Sequence, residues 1–393
     1  MPHIFLIFSA ILATIALGHL ILAHAALFVF RRHRATDGVD LPPVTILVPA
    51  CGLVRELKHN LQSLLMQDYP QFQLIVGFRD KFDPAVKVVR SVMADHPTKD
   101  HALVIHPRIW GDNYKCGNLG NMMEEAKHDW IIVIDSDMRV KPDYLRKVMG
   151  SFDNEKVGAV TCLYNARAGR GWASHLGSLY INDWFLPSVL VQKTLGKIRY
   201  CLGATMAFHR KTLEEIGGFK DLSNYIADDY ILGNRISSKG YEVCLAPCIV
   251  ENIVDEHSFN DIFFHELRWA RTIRSCQPIG YFFSMLSHNP IALTLPFFFA
   301  VGYTPLGWAA LTSAVILRVG LHAAVCRMSN KCRARGLVLI PFRDSMNWII
   351  WACGLFGYSL KWKDQNLMLQ SNQQVSLIKV ECHEDSITQS TIL

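Results

Sequence analysis

Two aspartates two positions apart, Asp135 and Asp137, follow an apolar run of strand length in the middle of this 393-residue chain. Carboxylate oxygens are the ligands that Mg²⁺ and Mn²⁺ prefer, and such a cation neutralises charge on a departing diphosphate. The other interpretation is a strand-to-loop turn in which an aspartate caps a helix near Lys141. The pair therefore predicts either a divalent metal site, for Mg²⁺ or Mn²⁺, or a structural turn.

A second acidic pair, Asp228 and Asp229, precedes a helical pattern that runs through Arg235. A carboxylate in an apolar and like-charged setting has a raised pKa and can take a proton from a hydroxyl. The helix dipole also favours acids at a helix N-terminus. Both interpretations can hold together, with one residue as a cap and the other as a general base.

Asp80 and Lys115 extend the polar series towards the N-terminus. Asp80 follows the strand pattern Phe72 to Phe78, where a carboxylate can accept hydrogen bonds from a uracil or a ribose. Lys115 precedes a helical pattern, and a cation beside the N–H groups of a helix N-terminus can bind phosphate. The alternatives are a turn aspartate before Pro84 and a solvated surface lysine.

The last polar motif is Arg268-Trp269, within the helical pattern Phe263 to Arg274. An arginine can bind a diphosphate in a bidentate manner, and a tryptophan offers a ring face to a sugar. The mixture of aromatic and basic residues also suits an interfacial helix that meets lipid head groups. That alternative is strong for Arg271 and Arg274 and weaker for the Arg-Trp pair.

The elements that position these residues alternate between strands and helices from Val44 to Ile134. Such alternation predicts an α/β fold with a mostly parallel sheet, covered on both faces. Ligands of such sheets bind beyond the carboxyl ends of the strands, where Asp80 and Asp135 fall. The second half of the chain is less regular, with strands expected at Val157 to Leu163 and Leu202 to His209.

Apolar segments flank this region. Ile4 to Phe30 contains no charged residue except histidine, and about 20 such residues cross a bilayer, so we expect a retained anchor. The basic run 31–34 then predicts a cytoplasmic location for the region after the anchor. We expect an anchor over 1–34, a cytoplasmic catalytic domain over 35–284, a membrane region over 285–364 and a polar tail over 365–393.

Within the membrane region, Met285 to Val325 is interrupted at 302–307, which predicts a hairpin of two helices, each close to span length. The next apolar stretch, 337–360, contains Arg343 and Asp344, and charges at mid-membrane are costly. It could be a span, a re-entrant helix or an interfacial helix. The net charge of +6 accompanies no long basic stripe, so no nucleic-acid partner is expected.

In order and spacing, these motifs resemble the ceramide glucosyltransferase family, glycosyltransferase family 21, with its D1, D2, D3 and (Q/R)xxRW motifs. Asp80, Asp135 and Asp229 match the three aspartates, and Arg268-Trp269 match the last motif. The resemblance covers roughly 41–277. His265 departs from it, because the family usually has Gln or Arg at that position.

The resemblance implies a GT-A nucleotide-sugar-binding domain, an inverting hexosyl transfer from a UDP-sugar to a lipid hydroxyl, and Asp229 as the base. The expected nucleotide-sugar contacts are Asp80, Lys115, Asp135, Asp228, His265, Arg268 and Trp269, with Asp135 and Asp137 on the metal.

The runs 203–207, 227–230 and 266–271 most resemble the bacterial hopanoid branch of the family, which transfers N-acetylglucosamine to bacteriohopanetetrol. Transfer of glucose to ceramide is the alternative. A processive polysaccharide synthase and a silent membrane scaffold are further alternatives. The short C-terminal membrane region and His265 argue against the synthase. The acids kept at every motif argue against the scaffold.

Overall fold

The computed structural model describes residues 2–33, 41–329, 335–362, 365–370 and 373–378. The strands of the described residues are β1 (Val44–Pro49), β2 (Phe72–Phe78), β3 (His101–Ile105), β4 (Trp130–Ile134), β5 (Met138–Arg139), β6 (Val157–Ala168), β7 (Thr205–His209), β8 (Glu242–Val254), β9 (Ser359–Trp362), β10 (Gln365–Leu369) and β11 (Val375–Leu377).

The α-helices of the same residues are α1 (Pro2–Arg32), α2 (Leu57–Leu65), α3 (Ala85–Ala94), α4 (Tyr114–Met122), α5 (Tyr144–Met149), α6 (Trp172–Leu179), α7 (Leu186–Leu195), α8 (Arg210–Glu215), α9 (Gly218–Leu222), α10 (Asp228–Ser238), α11 (Phe259–Cys276), α12 (Pro278–His288), α13 (Pro290–Ala300), α14 (Pro305–Ser329) and α15 (Arg335–Gly354). A π-helix, Tyr180–Phe185, joins α6 to α7 without a break.

Eight strands form one sheet in the order β3-β2-β1-β4-β7-β6-β8-β5. The first four are mutually parallel, β7 is antiparallel to β4 and β6, and β6 is parallel to β8. Strands β1, β2 and β4 are almost wholly buried, which is why they are continuous apolar runs rather than alternating ones. The α/β fold with a mostly parallel sheet is therefore confirmed.

The strand directions bring the polar motifs to one edge of this sheet. The carboxyl ends of β2 and β4 lie there, so Asp80 and Asp135 emerge on the same side. Because β7 runs the other way, its first residue, Thr205, pairs with Ile134 and brings Gly203 to that edge. Asp228 and Asp229 form the first turn of α10. These contacts assemble a site from four separate stretches of sequence.

Helix α11 carries the Arg-Trp motif and begins with a capping box. The Ser258 side chain accepts from the Asp261 backbone N–H, and the Asp261 carboxylate accepts from the Ser258 N–H. Two of the otherwise unpaired N–H groups of the first turn are thereby satisfied, so the start of the helix is fixed. The helix packs against α6 and α15 through a small apolar cluster that includes Ile262, Ala270 and Ile350.

Two helices of the described residues are long and apolar enough to cross a membrane, over His3–Arg32 and Pro305–Met328. The expected hairpin of two span-length helices is wrong in its first half. Asn289 caps α13 and Pro290 begins it, so α12 and α13 are separate helices. Helix α13 has 11 residues, about 16 Å, which is too short to cross alone.

The apolar stretch 337–360 forms most of α15 and then enters β9. Its two charged residues are buried but paired: Arg343 binds Glu266, and Asp344 binds Arg318 of α14. Helix α15 is not one of the two described helices that are long and apolar enough to cross a membrane. The pairing explains how charges are tolerated inside an apolar stretch.

The segment expected to be a polar tail begins differently. Residues 365–369 and 375–377 are β10 and β11, which form a three-stranded antiparallel sheet with β9. This small sheet packs on Ile226, just before the second acidic pair. The expectation of a tail is therefore wrong for 365–370 and 373–378, and 371–372 and 379–393 lie outside the described residues.

Candidate active site

A cavity of about 2300 Å³ lies beyond the sheet edge at which the polar motifs meet. Its wall includes every residue that the sequence singled out for the site, namely Asp80, Lys115, Asp135, Asp137, Asp228, Asp229, His265, Arg268 and Trp269. Motifs that lie almost two hundred positions apart in the sequence therefore line the same cavity. The structure brings them together, while the role of each remains a prediction.

Lys115, on the wall of the cavity, lies between two carboxylates. Its Nζ is 2.7 Å from Asp135 Oδ1 and 3.8 Å from Asp228 Oδ2. Burial opposes the charged lysine, but the two carboxylates outweigh it and raise the pKa of Lys115 above its usual value. Burial also raises the pKa of Asp228, against the effect of Lys115. Lys115 therefore holds a positive charge on the cavity wall that an anionic ligand could use.

Asp229 faces the same space from the first turn of α10. Burial and then the charge of Asp228 raise the pKa of Asp229 to about 6, although its Oδ1 accepts from the Tyr230 N–H at 2.7 Å. The site is tight on its other side, since a Cβ added to Gly203 would lie 3.2 Å from Asp229 Oδ2. A carboxyl group with this pKa is mostly deprotonated at neutral pH and basic enough to accept a proton.

Asp137 provides the test of whether a metal would fit. Its Oδ2 accepts from Asn252 Nδ2 at 3.1 Å, whereas its buried Oδ1 has no hydrogen-bond partner within the described part of the chain. Burial and then Asp135 raise the pKa of Asp137 to about 6. No group of three metal-binding side chains occurs among the described residues. Two carboxylates with an unsatisfied oxygen still fit Mg²⁺ or Mn²⁺, which take other ligands from phosphate and water.

The part of the cavity near Asp80 is polar and partly aromatic. Asp80 is exposed there, and its Oδ1 accepts from the Phe82 N–H at 2.9 Å, which is the turn geometry that the sequence offered as an alternative. The guanidinium of Arg79 lies 3.6 Å from the ring centroid of Tyr114, one residue before Lys115. Since Asp80 is exposed on the cavity wall, its carboxylate can accept hydrogen bonds from a base or a ribose.

Arg268 points into the cavity from α11. Burial lowers the pKa of Arg268 to about 10, partly offset by Asp229 and Tyr164, so the side chain stays charged at neutral pH. Considering only the part of the chain that is described, its guanidinium forms no ion pair within 4 Å and lies 5.7 Å from the ring centroid of Trp362. An arginine that is desolvated and has no ion pair, in the same cavity wall as Lys115, is suited to a diphosphate.

Trp269 lies between two other rings. Tyr180 of the π-helix stacks on it with centroids 5.7 Å apart, and the imidazole of His265 packs 4.3 Å away on a tilted plane. The Nδ1 of His265 is 2.8 Å from Glu256 Oε1. Burial lowers the pKa of His265, so the ring is neutral at pH 7 and offers no cation to a diphosphate. The structure gives His265 a packing contact to Trp269 in addition to its place on the cavity wall.

Tyr164 and Trp362 are among the aromatic residues of the cavity wall that sequence reasoning missed. Tyr164 is in β6, and burial with the nearby charges of Asp229 and Asp135 raises its pKa well above the usual value. Trp362 is in β9 and is brought in by the C-terminal sheet. A tyrosine inside a strand pattern and a tryptophan beyond the membrane region carry no local signal of a site.

Another part of the cavity is mainly apolar. Trp184, Val189, Leu195 and Phe283 line it, and Leu195 and Phe283 are also largely exposed on the outer surface. It extends to His19, thirteen positions before the end of α1 at Arg32, about 20 Å along the helix axis. The cavity thus joins a charged end to an apolar end that touches a helix able to cross a membrane.

Comparison with known proteins agrees with this geometry. The family model described as glycosyl transferase family 21 matches residues 6–375. Ceramide glucosyltransferase 1 of Caenorhabditis elegans is 24% identical over 215 residues, which are 54% of this chain and 46% of that protein. Beta-monoglucosyldiacylglycerol synthase of Nostoc sp. is 25% identical over 241 residues, 59% of this chain and 49% of that protein. The chain therefore spans about half the length of these relatives.

Among solved structures, a mannosyltransferase from Pyrobaculum calidifontis, in complex with GDP-Man and Mn²⁺, matches with a TM-score of 0.53 and 17% identity. The match covers 89% of this chain and 96% of that one. At this identity the likeness concerns the fold, which is of the GT-A type.

Proposed function

The chain belongs to glycosyl transferase family 21, and from that premise we propose that it transfers a sugar from a UDP-sugar to the hydroxyl of a membrane lipid, with inversion at the anomeric carbon. The observation that carries the proposal is the continuity of the cavity. Its polar end has the charges that a nucleoside diphosphate requires, and its apolar end reaches a helix of membrane-crossing length.

The chemistry is set by the residues at the polar end. Asp229 takes the proton of the acceptor hydroxyl, whose oxygen attacks the anomeric carbon from the face opposite the diphosphate. The bond to the diphosphate breaks as the new glycosidic bond forms. No enzyme nucleophile is needed, and a single displacement inverts the centre. Lys115 and Arg268 bind the negative charge that collects on the departing nucleotide.

A divalent cation would be held by Asp135 and Asp137. When bound, Mg²⁺ or Mn²⁺ supplies charge neutralisation at the diphosphate. The unsatisfied Oδ1 of Asp137 supports this assignment, as does the Mn²⁺ of the mannosyltransferase complex. Asp80 and Asp228 complete the proposed nucleotide contacts, and Trp269 offers its ring edge to the sugar from within its aromatic stack.

The first acceptor to test is bacteriohopanetetrol with N-acetylglucosamine as the sugar, a choice that rests on the resemblance of the runs at 203–207, 227–230 and 266–271. Ceramide with UDP-glucose is the second candidate, because ceramide glucosyltransferase 1 of Caenorhabditis elegans is among the relatives. We place the catalytic domain on the cytoplasmic side, on the strength of the basic residues Arg31 and Arg32 that end α1.

The test is sugar transfer by the purified full chain in lipid vesicles. Radiolabelled UDP-N-acetylglucosamine and UDP-glucose are each offered with bacteriohopanetetrol or ceramide, and the lipid products are separated. We expect a product with one sugar, and a loss of about a hundredfold or more in Asp229→Asn, because general-base catalysis contributes about 10²–10⁴-fold. Asp153→Asn, on an exposed turn, is the matched control and should keep the natural rate.

Three results would overturn the proposal in different ways. Transfer by Asp229→Asn at the natural rate removes the base assignment. A polymeric product identifies a processive synthase instead. If the folded chain turns over none of the donors with any acceptor, the catalytically silent membrane scaffold becomes the better interpretation.

A further inference from the structure

Arg343 of α15 has no solvent exposure. Its two terminal nitrogens donate to the two carboxylate oxygens of Glu266 at 2.8 and 2.7 Å, which is the bidentate arrangement. Nε and Nη2 also donate to Asn347 Oδ1 at 2.9 and 2.6 Å. The guanidinium of Arg343 and the carboxylate of Glu266 are therefore held in one orientation by several hydrogen bonds.

Glu266 lies on α11, two positions before Arg268 and three before Trp269. It is buried and pairs with α15, and like Arg268 and Trp269 it belongs to the cavity wall. A helix is stiff over one turn. Because the position of Glu266 is held by its pair with α15, the rotation of α11 about its own axis and its distance from α15 are held as well. The Arg343 pair thereby sets the direction in which Arg268 and Trp269 point.

A second contact leads from the same arginine to the same motif. The guanidinium of Arg343 lies 5.4 Å from the ring centroid of Tyr180, and Tyr180 stacks on Trp269. Arg343 therefore reaches Trp269 by two routes, one through the backbone of α11 and one through the aromatic stack.

Stability alone is a poor explanation for such a pair. Removing two charges from water costs about as much as their attraction returns, and apolar residues of similar size often fold as well or better. What a bidentate pair adds over apolar packing is a defined orientation. The helix it orients here is the one that carries the proposed diphosphate ligand.

We propose that Arg343, through its bidentate pair with Glu266, is a positioning residue that holds the Arg268-Trp269 motif against the nucleotide-sugar. The proposal rests on the proposed function for its kinetic consequences, although its structural consequences can be measured without any transfer.

The test compares four variants with the natural chain, all full length and in detergent. Arg343→Met and Glu266→Met each leave one buried charge unpaired and are expected to unfold at a lower temperature. The double variant with both changes removes the charges together, so its melting temperature should return to within a few degrees of the natural one. Arg343→Lys keeps the charge and loses the bidentate geometry.

The matched control is Asp344→Asn. Asp344 is the next residue of α15, is equally buried and forms an ion pair with Arg318 of α14. Its hydrogen bonds within the described residues go to Arg318 and not to α11. It should lower the melting temperature while kcat per folded molecule stays within twofold of the natural value.

For the folded double variant we expect at least a tenfold loss of kcat, at least a fivefold weaker affinity for UDP, and faster amide hydrogen exchange across α11. Arg343→Lys should lose less kcat than the folded double variant. A purely structural role would change the melting temperature and leave kcat and UDP affinity unaltered. A folded double variant with natural kcat and UDP affinity overturns the proposal, and so does an equal loss in Asp344→Asn.

The failure of the proposed function gives a different pattern. If the natural chain transfers no sugar to any lipid but the double variant still binds UDP more weakly and exchanges faster in α11, the lipid acceptor is wrong and the positioning role stands.

Discussion

Lys115 Nζ lies 2.7 Å from Asp135 Oδ1. The lysine comes from the start of α4 and the aspartate from the end of β4, so the pair joins two neighbouring elements at the sheet edge. Before any donor arrives, the ammonium already compensates the acids around it. An ammonium group has three N–H donors, and an incoming diphosphate can accept hydrogen bonds from some of them. The lysine side chain does not have to move, because its charge is already in place.

Replacing Lys115 with methionine should weaken donor binding. A hydrogen bond to a charged group contributes about 1.5–3 kcal/mol, and 1.4 kcal/mol is a factor of ten, so the donor KM should rise about 10- to 100-fold. Steady-state transfer at varied UDP-sugar measures it. Lys58→Met removes an exposed pair with Asp95 and should change KM less than twofold. An unchanged KM in Lys115→Met would contradict this role.

The acid limb of the pH profile should report Asp229. Its pKa is raised to about 6, and only the deprotonated carboxylate acts as a base, so kcat/KM should be constant above about pH 7 and fall about tenfold for each unit below 6. Asp228 contributes to that raised pKa. In Asp228→Asn the acid limb should therefore move to lower pH, whatever the maximal rate. A limb that stays in place or moves to higher pH would show that another group titrates.

Removal of divalent metal should stop transfer. A chelator such as EDTA should abolish activity, and excess Mg²⁺ or Mn²⁺ should restore it, since two carboxylates alone hold such an ion weakly. Asp137→Asn should need at least about tenfold more metal for half-maximal rate. Asp143→Asn, at the partly exposed start of α5, serves as the control. Full activity in the presence of the chelator would rule out the metal site.

The C-terminal sheet should matter for the donor. Trp362→Ala removes the ring beside the Arg268 guanidinium, a contact of about 0.5–2 kcal/mol, so the donor KM should rise about 2- to 30-fold. Met368→Ala, on an exposed face of the same sheet, should leave KM unchanged. Titration with UDP followed by calorimetry would separate binding from rate. Equal effects of the two changes would mean that the sheet acts only through its stability.

The sheet and the acidic motifs could be predicted from sequence because their signals are local. The runs of β1 and β4 are apolar over strand length, and an aspartate directly after such a strand has few possible positions in a parallel sheet. The pairing of Lys115 with Asp135 was not predictable, because it depends on how closely α4 approaches the end of β4.

The C-terminal elements escaped prediction for a related reason. Strands β10 and β11 are short and partly polar, and their stabilising partners are distant: Gln365 Nε2 donates to the Asp112 carbonyl, and the Leu377 N–H donates to the Asp112 carboxylate. Likewise, the sequence indicates that a charged Arg343 is costly in an apolar stretch. It does not indicate the partner, Glu266, which is 77 positions away. Long-range partners of this kind have no signature in local periodicity.

The apolar end of the cavity, which reaches His19 on α1, has a consequence for kinetics. A lipid held there keeps its chains in an apolar surrounding throughout the reaction, and avoids the roughly 0.8 kcal/mol per methylene that transfer to water would cost. If the proposed lipid acceptor binds there, it is a solute in two dimensions. We then expect its mole fraction in the bilayer to act as its effective concentration, so that dilution with inert lipid at constant bulk amount slows the reaction.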